Sequence, residues 1–346
     1  MIIFRADGNK EIGTGHIMRC LSIADAFNEI GEKCAFITAD GSMQPLIENR
    51  GYSTFVLDTD FKDMMSDLEQ TISLLEAHNS NIIILDSYFV TANYLNSISK
   101  VAKTAYIDDL SLFAYPVDLL INYNIYADQK EYETMYLKSN VPYPQMLIGT
   151  DFVPLRKMFR DIPQRPIGTR VNDVLISTGG TDPIHLSCDL INTIKTRSIS
   201  ENITFHFLIG TMNSDKKVIE EAANNINNIK LHYNVSDMKS FISSCDLVVS
   251  AAGTTLYEIC ACGVPLITYI LADNQIKSAN AFEKEGIAVC CGDLRNRSDK
   301  SNILLDSIKE LIGDYDKRRM ISNRMLKLVD GNGASNICKA VQLLKP

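Results

Sequence analysis

The sequence predicts an α/β protein built from two Rossmann-like, doubly wound parallel-sheet domains that face each other across a cleft. Three observations predict it. Short β-branched runs alternate with amphipathic helical runs along almost the whole chain, the pattern of parallel βαβ units. That alternation breaks once, near residues 160–170, in a polar stretch carrying Pro163, Pro166 and Gly168. The 346 residues suffice for about two domains.

The first domain is expected over residues 1–160. Its strands are expected at Ile2–Arg5, Cys34–Thr38, Thr54–Leu57, Ile82–Asp86, Thr104–Ile107 and Leu119–Asn122, each apolar and soon followed by Gly, Asp, Asn or Ser. Between the first two, Ile17, Cys20, Leu21, Ala24 and Phe27 recur at helical spacing, with Gly31 as a stop. The second domain is expected over residues 171–346. Its strands fall at Asp173–Ser177, Thr204–Ile209, Ile229–His232, Leu247–Ser250, Pro265–Tyr269 and Ala288–Cys290. Helices are expected near His185–Thr196, Val218–Asn225, Thr255–Cys262, Ile276–Glu285 and Asn302–Ile312. A tail of two helices follows from about Lys317, punctuated by Asp330-Gly331-Asn332-Gly333. In such sheets ligands bind beyond the carboxyl ends of the strands.

Composition narrows the function. A hydrophobic fraction of 46% with 22% charged residues is ordinary for a globular chain. The formal net charge of -8 argues against nucleic acid or an anionic membrane as partner. The nine cysteines include no CxxC pair, so buried reduced thiols in a cytoplasmic protein are expected. The most apolar long stretch, Leu247 to Ala272, contains Glu258 and Pro265 and does not read as a membrane span. The opening Met1-Ile2-Ile3-Phe4-Arg5 lacks the make-up of a secretory signal. The expected state is a monomer or weak homodimer.

Three constellations could carry chemistry. Gly13-Thr14-Gly15-His16-Ile17-Met18-Arg19 follows the first strand and opens the first long helix. Glycines let a ligand approach the backbone, and the helix start offers unpaired N–H groups. A neutral His16 there could take a proton from water; it could equally be a capping residue in a turn. Ser177-Thr178-Gly179-Gly180-Thr181-Asp182-Pro183 suits a phosphate-facing loop, or a βα turn capped by Asp182. In Ser250-Ala251-Ala252-Gly253-Thr254-Thr255-Leu256-Tyr257-Glu258, small residues cover a strand end and Glu258 lies about one turn into a helix. A carboxylate so placed can accept ribose hydroxyls, or simply be exposed. Asn274 and Gln275 start another helix nearby in sequence. Asp108-Asp109 and Asp86-Ser87-Tyr88 sit at strand ends as weaker candidates. Asp58-Thr59-Asp60 spells a metal–nucleotide pattern but lies in a polar loop. His78, His185, His206 and His232 lack metal-ligand spacing. Neither a metal nor a cofactor is expected.

In order along the chain, these residues resemble the UDP-2,4-diacetamido-2,4,6-trideoxy-β-L-altropyranose hydrolases of pseudaminic acid biosynthesis. The resemblance opens at Phe4-Arg5-Ala6-Asp7 and runs through Gly13 to Arg19. It continues at Ile84-Leu85-Asp86-Ser87-Tyr88, with Ser87 where the family has His, at Ile107-Asp108-Asp109, and at Leu119 through Asn124 to Ala127. Gly149 through Leu155-Arg156 and Ser177 through Asp182 complete it. Single motifs are weak; the ordered series is specific. It covers Met1 to about Glu285, and the tail is similar to that of fuller members ending in Asp-Gly-x-Gly-Ala.

The family is similar to the glycosyltransferase B fold. The resemblance implies UDP in the second domain, with Glu258 on the ribose, and a sugar reaching His16. It implies metal-free attack of water at the anomeric carbon with inversion, UDP leaving. His16 and Tyr88 are the implied catalytic pair. Gly13, Gly15, Arg19, Asp108, Asp109, Asn124, Arg156, Gly179, Gly180, Thr181, Ala252, Gly253, Thr254, Glu258, Asn274 and Gln275 are the implied substrate contacts. Two other functions stay open: a glycosyltransferase of this fold, and a non-catalytic sugar-nucleotide binder in surface or spore-coat polysaccharide assembly.

Overall fold

A computed structural model describes residues 1–197 and 202–345. The chain divides into two compact units, Met1–Lys157 with Gly331–Pro346, and Met158–Asp330.

The first unit is built on a seven-stranded sheet of β1 (Ile2–Ala6), β2 (Cys34–Thr38), β3 (Ser53–Val56), β4 (Ile82–Asp86), β5 (Lys103–Ile107), β6 (Leu119–Asn122) and β7 (Gln145–Ile148). All pairs are parallel and the order is β3-β2-β1-β4-β5-β6-β7. Parallel strands covered by helices on both faces read as unbroken apolar runs, and β1, β2 and β4 are buried along their whole length. β7 was not anticipated. It is four residues at the sheet edge, held by β6 alone, and only Leu147 is buried. A strand that packs on so little needs no β-branched run to announce it.

The second unit has a six-stranded parallel sheet of β8 (Asp173–Ser177), β9 (Thr204–Ile209), β10 (Ile229–Tyr233), β11 (Leu247–Ala251), β12 (Leu266–Ile270) and β13 (Val289–Asp293). The order is β10-β9-β8-β11-β12-β13. In both sheets the chain winds outward in one direction, returns, and winds outward in the other. The reversal falls between β1 and β4 in the first sheet and between β8 and β11 in the second. Loops leaving the strands diverge at such a switch point and open a crevice at their carboxyl ends.

The tail departs from the expectation that the second domain runs to residue 346. The helix Gly333–Gln342 buries Ala334, Ile337, Cys338 and Val341 and packs on the first unit's helix Gly15–Glu29. The Asp330-Gly331-Asn332-Gly333 stretch has a steric reason. A side chain at Gly333 would overlap the backbone of Val153, 2.2 Å from its carbonyl oxygen. The expected linker is likewise tied to the second unit. Arg165 donates to the Ser243 carbonyl at 2.9 Å, and buried Arg318 donates to the carbonyls of Gly168 and Thr169. All nine cysteines are free thiols, and among the described residues no helix is long and apolar enough to cross a membrane.

Candidate functional site

The first unit's switch point is where His16 lies. β1 and β4 pair in register, Ala6 beside Asp86, so the loop after β1 and the last residue of β4 are neighbours. That loop folds back on itself. Asn9 and Gly13 exchange backbone hydrogen bonds at 3.1 and 2.9 Å, and the Asn9 side chain accepts from the amides of Glu11 and Ile12. Gly13 sits at φ +76°, which favours glycine. Space is open where side chains at Gly13 and Gly15 would project. Thr14 does not cap the helix with its side chain, so the first-turn amides are left for another acceptor.

His16 is 95% buried, at 5% exposure. Its Nδ1 lies 2.6 Å from Asp86 Oδ1. One helical turn on, Arg19 grips the same carboxylate with two hydrogen bonds, Nε to Oδ2 and Nη2 to Oδ1, both 2.5 Å. Arg19 Nη1 donates to Asp109 at 2.8 Å and to the Tyr123 hydroxyl at 2.6 Å. The Asn124 amide donates to Asp109 and to Asn122. Tyr88 stands edge-on to the imidazole, ring centres 4.4 Å apart. Burial by itself would push Asp86 toward its neutral form. The Arg19 charge, with the hydrogen bonds from Arg19 and His16, outweighs burial and holds the carboxyl well below the usual range. Burial likewise opposes the Arg19 charge, but Asp109 and Asp86 overcome it and keep the guanidinium protonated.

This geometry revises two expected substrate contacts. Every nitrogen of Arg19 already has a protein partner, so it is not free to bind substrate. Asp108 is fully buried and accepts from the amides of Leu110 and Ser111 and the hydroxyls of Tyr115 and Tyr132. It fixes the loop after β5. Its neighbour Asp109 faces Arg19 instead, and the Asn124 amide hydrogens are spent on Asp109 and Asn122. Arg156 is half-buried on the segment after β7. Asp86 stood only among the weaker candidates, and Tyr123 was not singled out as a contact. Asp86 had a signal, as the acid closing the apolar run Ile82-Ile83-Ile84-Leu85; Tyr123 had none of its own.

The second unit's switch point has a different character. Ser177 pairs with Ser250, which sets the loops after β8 and β11 side by side. Gly179 and Gly180 are exposed and Thr181 half-buried. The helix that follows is already capped: Asp182 accepts from the amides of Leu186 and Ser187, each at 2.9 Å. A carboxylate on those amides leaves no vacancy for a phosphate there. The helix Thr255–Cys262 has no side-chain cap. Ala252 and Gly253 spend their amides on the carbonyls of Tyr269 and Ala251, so these two expected contacts offer no backbone donor. The amides of Thr254 and Thr255 come before the first bonded ones of the helix, at Leu256 and Tyr257. Glu258 lies half-buried in that first turn. Asn274 is exposed, and Gln275 uses its carbonyl oxygen on the Leu271 amide at 2.8 Å.

Residues 174–324 match the Glycosyltransferase family 28 C-terminal domain. The chain is 23% identical over 292 residues to the UDP-2,4-diacetamido-2,4,6-trideoxy-β-L-altropyranose hydrolase of Campylobacter jejuni, covering 83% of this chain and 98% of that one. A Helicobacter pylori protein, named both as this hydrolase and as a pseudaminic acid cytidylyltransferase, is 23% identical over 80% of the chain. An uncharacterised Methanocaldococcus jannaschii protein is 22% identical over 78% of the chain. The chain spans 45% and 55% of the length of these last two. Among solved structures, Acinetobacter baumannii MurG superposes with a TM-score of 0.68 at 12% identity, covering 99% of each chain. The chain is thus a two-domain protein of glycosyltransferase-B-like fold that resembles, over 83% of its length, the UDP-2,4-diacetamido-2,4,6-trideoxy-β-L-altropyranose hydrolases.

Proposed function

We propose that the chain is a metal-independent hydrolase that cleaves a UDP-linked diacetamido-trideoxyhexose at the anomeric carbon, in nonulosonic acid biosynthesis. The observation that carries this reading is the hydrogen-bonded pair His16–Asp86 at the first sheet's switch point. Asp86 takes up Nδ1, and Nε2 makes no hydrogen bond to a described residue. Nε2 is the general base. It takes a proton from water as the water oxygen bonds to the anomeric carbon, and the bond from that carbon to the phosphate oxygen breaks. The electron pair leaves with UDP. A single displacement inverts the anomeric centre. Tyr88 confines the imidazole from its edge.

The second unit holds the leaving group. The uncapped helix start at Thr254 and Thr255 stabilises diphosphate charge as it develops. Glu258 accepts the ribose hydroxyls, and Gly179, Gly180 and Thr181 line the neighbouring loop. The names of the Campylobacter and Helicobacter relatives support the substrate class.

Incubation with UDP-diacetamido-trideoxyhexoses, followed by NMR, tests the reading. UDP and an inverted free sugar are expected without any acceptor and in the presence of chelator. Turnover that requires an acceptor alcohol would instead assign a glycosyltransferase, which the family 28 match and the MurG likeness favour. UDP binding with no turnover of any such sugar would rule out both.

A further inference from the structure

We propose that Arg19 is a positioning residue that sets the tautomer of His16. The proposal rests on the reading of His16 as base only for what the tautomer is used for.

Asp86 Oδ1 is a shared acceptor. It lies 2.6 Å from His16 Nδ1 and 2.5 Å from Arg19 Nη2, and those two nitrogens are 3.1 Å apart. A guanidinium can only donate. An ionised carboxylate can only accept. Nδ1 must therefore carry the hydrogen it shares with Oδ1, and the lone pair of the neutral ring falls on Nε2. Remove Arg19 and the balance reverses. Asp86 is fully buried, among the described residues its remaining side-chain partners are His16 and the weak thiol donor Cys20, and burial favours the neutral acid. A protonated carboxyl donates to Nδ1 and moves the ring hydrogen to Nε2, where it blocks proton abstraction. Arg19 is held for this task from two further strand ends, by Asp109 after β5 and Tyr123 after β6. One guanidinium against two carboxylates leaves the cluster one negative charge, which the imidazolium formed in the reaction neutralises.

The test begins on the unaltered full chain, without substrate. Long-range ¹H–¹⁵N NMR of ¹⁵N-labelled protein is expected to show His16 protonated at Nδ1 and bare at Nε2. Protonation at Nε2 overturns the proposal, whatever any variant does. In Arg19→Met the Nε2–H tautomer is expected to appear, with kcat down by roughly 10²–10⁴-fold, as when a buried carboxylate loses its hold on a catalytic imidazole, and KM nearly unchanged. Arg19→Lys is expected to restore the tautomer and part of kcat. A folded Arg19→Met with tautomer and kcat unchanged overturns the proposal. Should Arg19→Met not fold, Asp109→Asn reads the same coupling with a smaller loss confined to kcat. The tautomer needs no substrate. Absence of turnover with the expected tautomer therefore defeats the activity reading alone, and an active enzyme with the reversed tautomer defeats this proposal alone.

Discussion

The two switch points occupy equivalent places in their sheets and are built from opposite materials. Beyond β1 and β4, the first unit joins a buried guanidinium, carboxylate and imidazole to the half-buried Asp109 in one connected network. Beyond β8 and β11, the second unit presents exposed glycines, small side chains and an uncapped helix start. Buried, mutually satisfied charges are stiff, because each partner that moves leaves another unpaired in a medium that cannot solvate it. Such a network can hold one tautomer of one ring. Backbone amides at a helix start carry no proton to exchange and bind anions at any pH where the ligand is charged. Under the proposed function, this contrast corresponds to proton transfer in the first unit and nucleotide retention in the second.

The largest effect that could break this division is in His16→Ala. Removing the base is expected to lower kcat by about 10²–10⁴-fold while calorimetry records unchanged UDP affinity. Full activity in this variant would end the assignment. Glu258→Ala is the reciprocal test. It is expected to weaken UDP binding by roughly ten- to a hundredfold, the scale of ~1.5–3 kcal/mol for hydrogen bonds to a charged group, with catalysis at saturation largely kept. A loss confined to kcat would put Glu258 in the chemistry instead.

Acid should act next, on the buried network of the first unit. The Asp86 carboxyl lies below its unfolded-state value when folded. As pH falls, the unfolded chain takes up this proton first, so stability is lost. The contribution is present in full above about pH 4 and disappears as pH drops further through the folded value. Denaturant midpoints between pH 6 and 3 are expected to fall for the natural chain, and less for Asp86→Asn; parallel curves would refute the pairing. The smallest effect is expected from Asp182→Ala, which frees two helix amides at a cost of about 0.5–2 kcal/mol. Melting temperature should drop with UDP affinity kept. Loss of UDP binding would show that the β8 loop holds ligand rather than a cap.

Much of the fold was legible because its signals are local. β2, β4, β6, β8 and β9 fall where their apolar runs stand. The glycines of the first loop mark a turn by backbone conformation alone, and Thr255 through Cys262 reads as a helix from its own spacing. β7 escaped because an edge strand of four residues packs too little to carry a pattern. The residues of the candidate site were legible as residue types near strand ends, and His16 was among them.

What the sequence by itself determined is therefore the alternation of strands and helices, the glycine-marked loops between them, and the presence of a histidine at a helix start. Tertiary structure decided the partnerships. His16 meets Asp86 across 70 residues, and Arg19 meets Asp109 across 90 and Tyr123 across 104. It decided that Asp108 turns inward to a tyrosine cage while Asp109 turns to Arg19, because adjacent residues leaving a strand point to opposite sides. It also returned the last helix to the first unit, where Gly333 closes on the Val153 backbone. Periodicity is written in neighbours along the chain, whereas a hydrogen bond needs only neighbours in space.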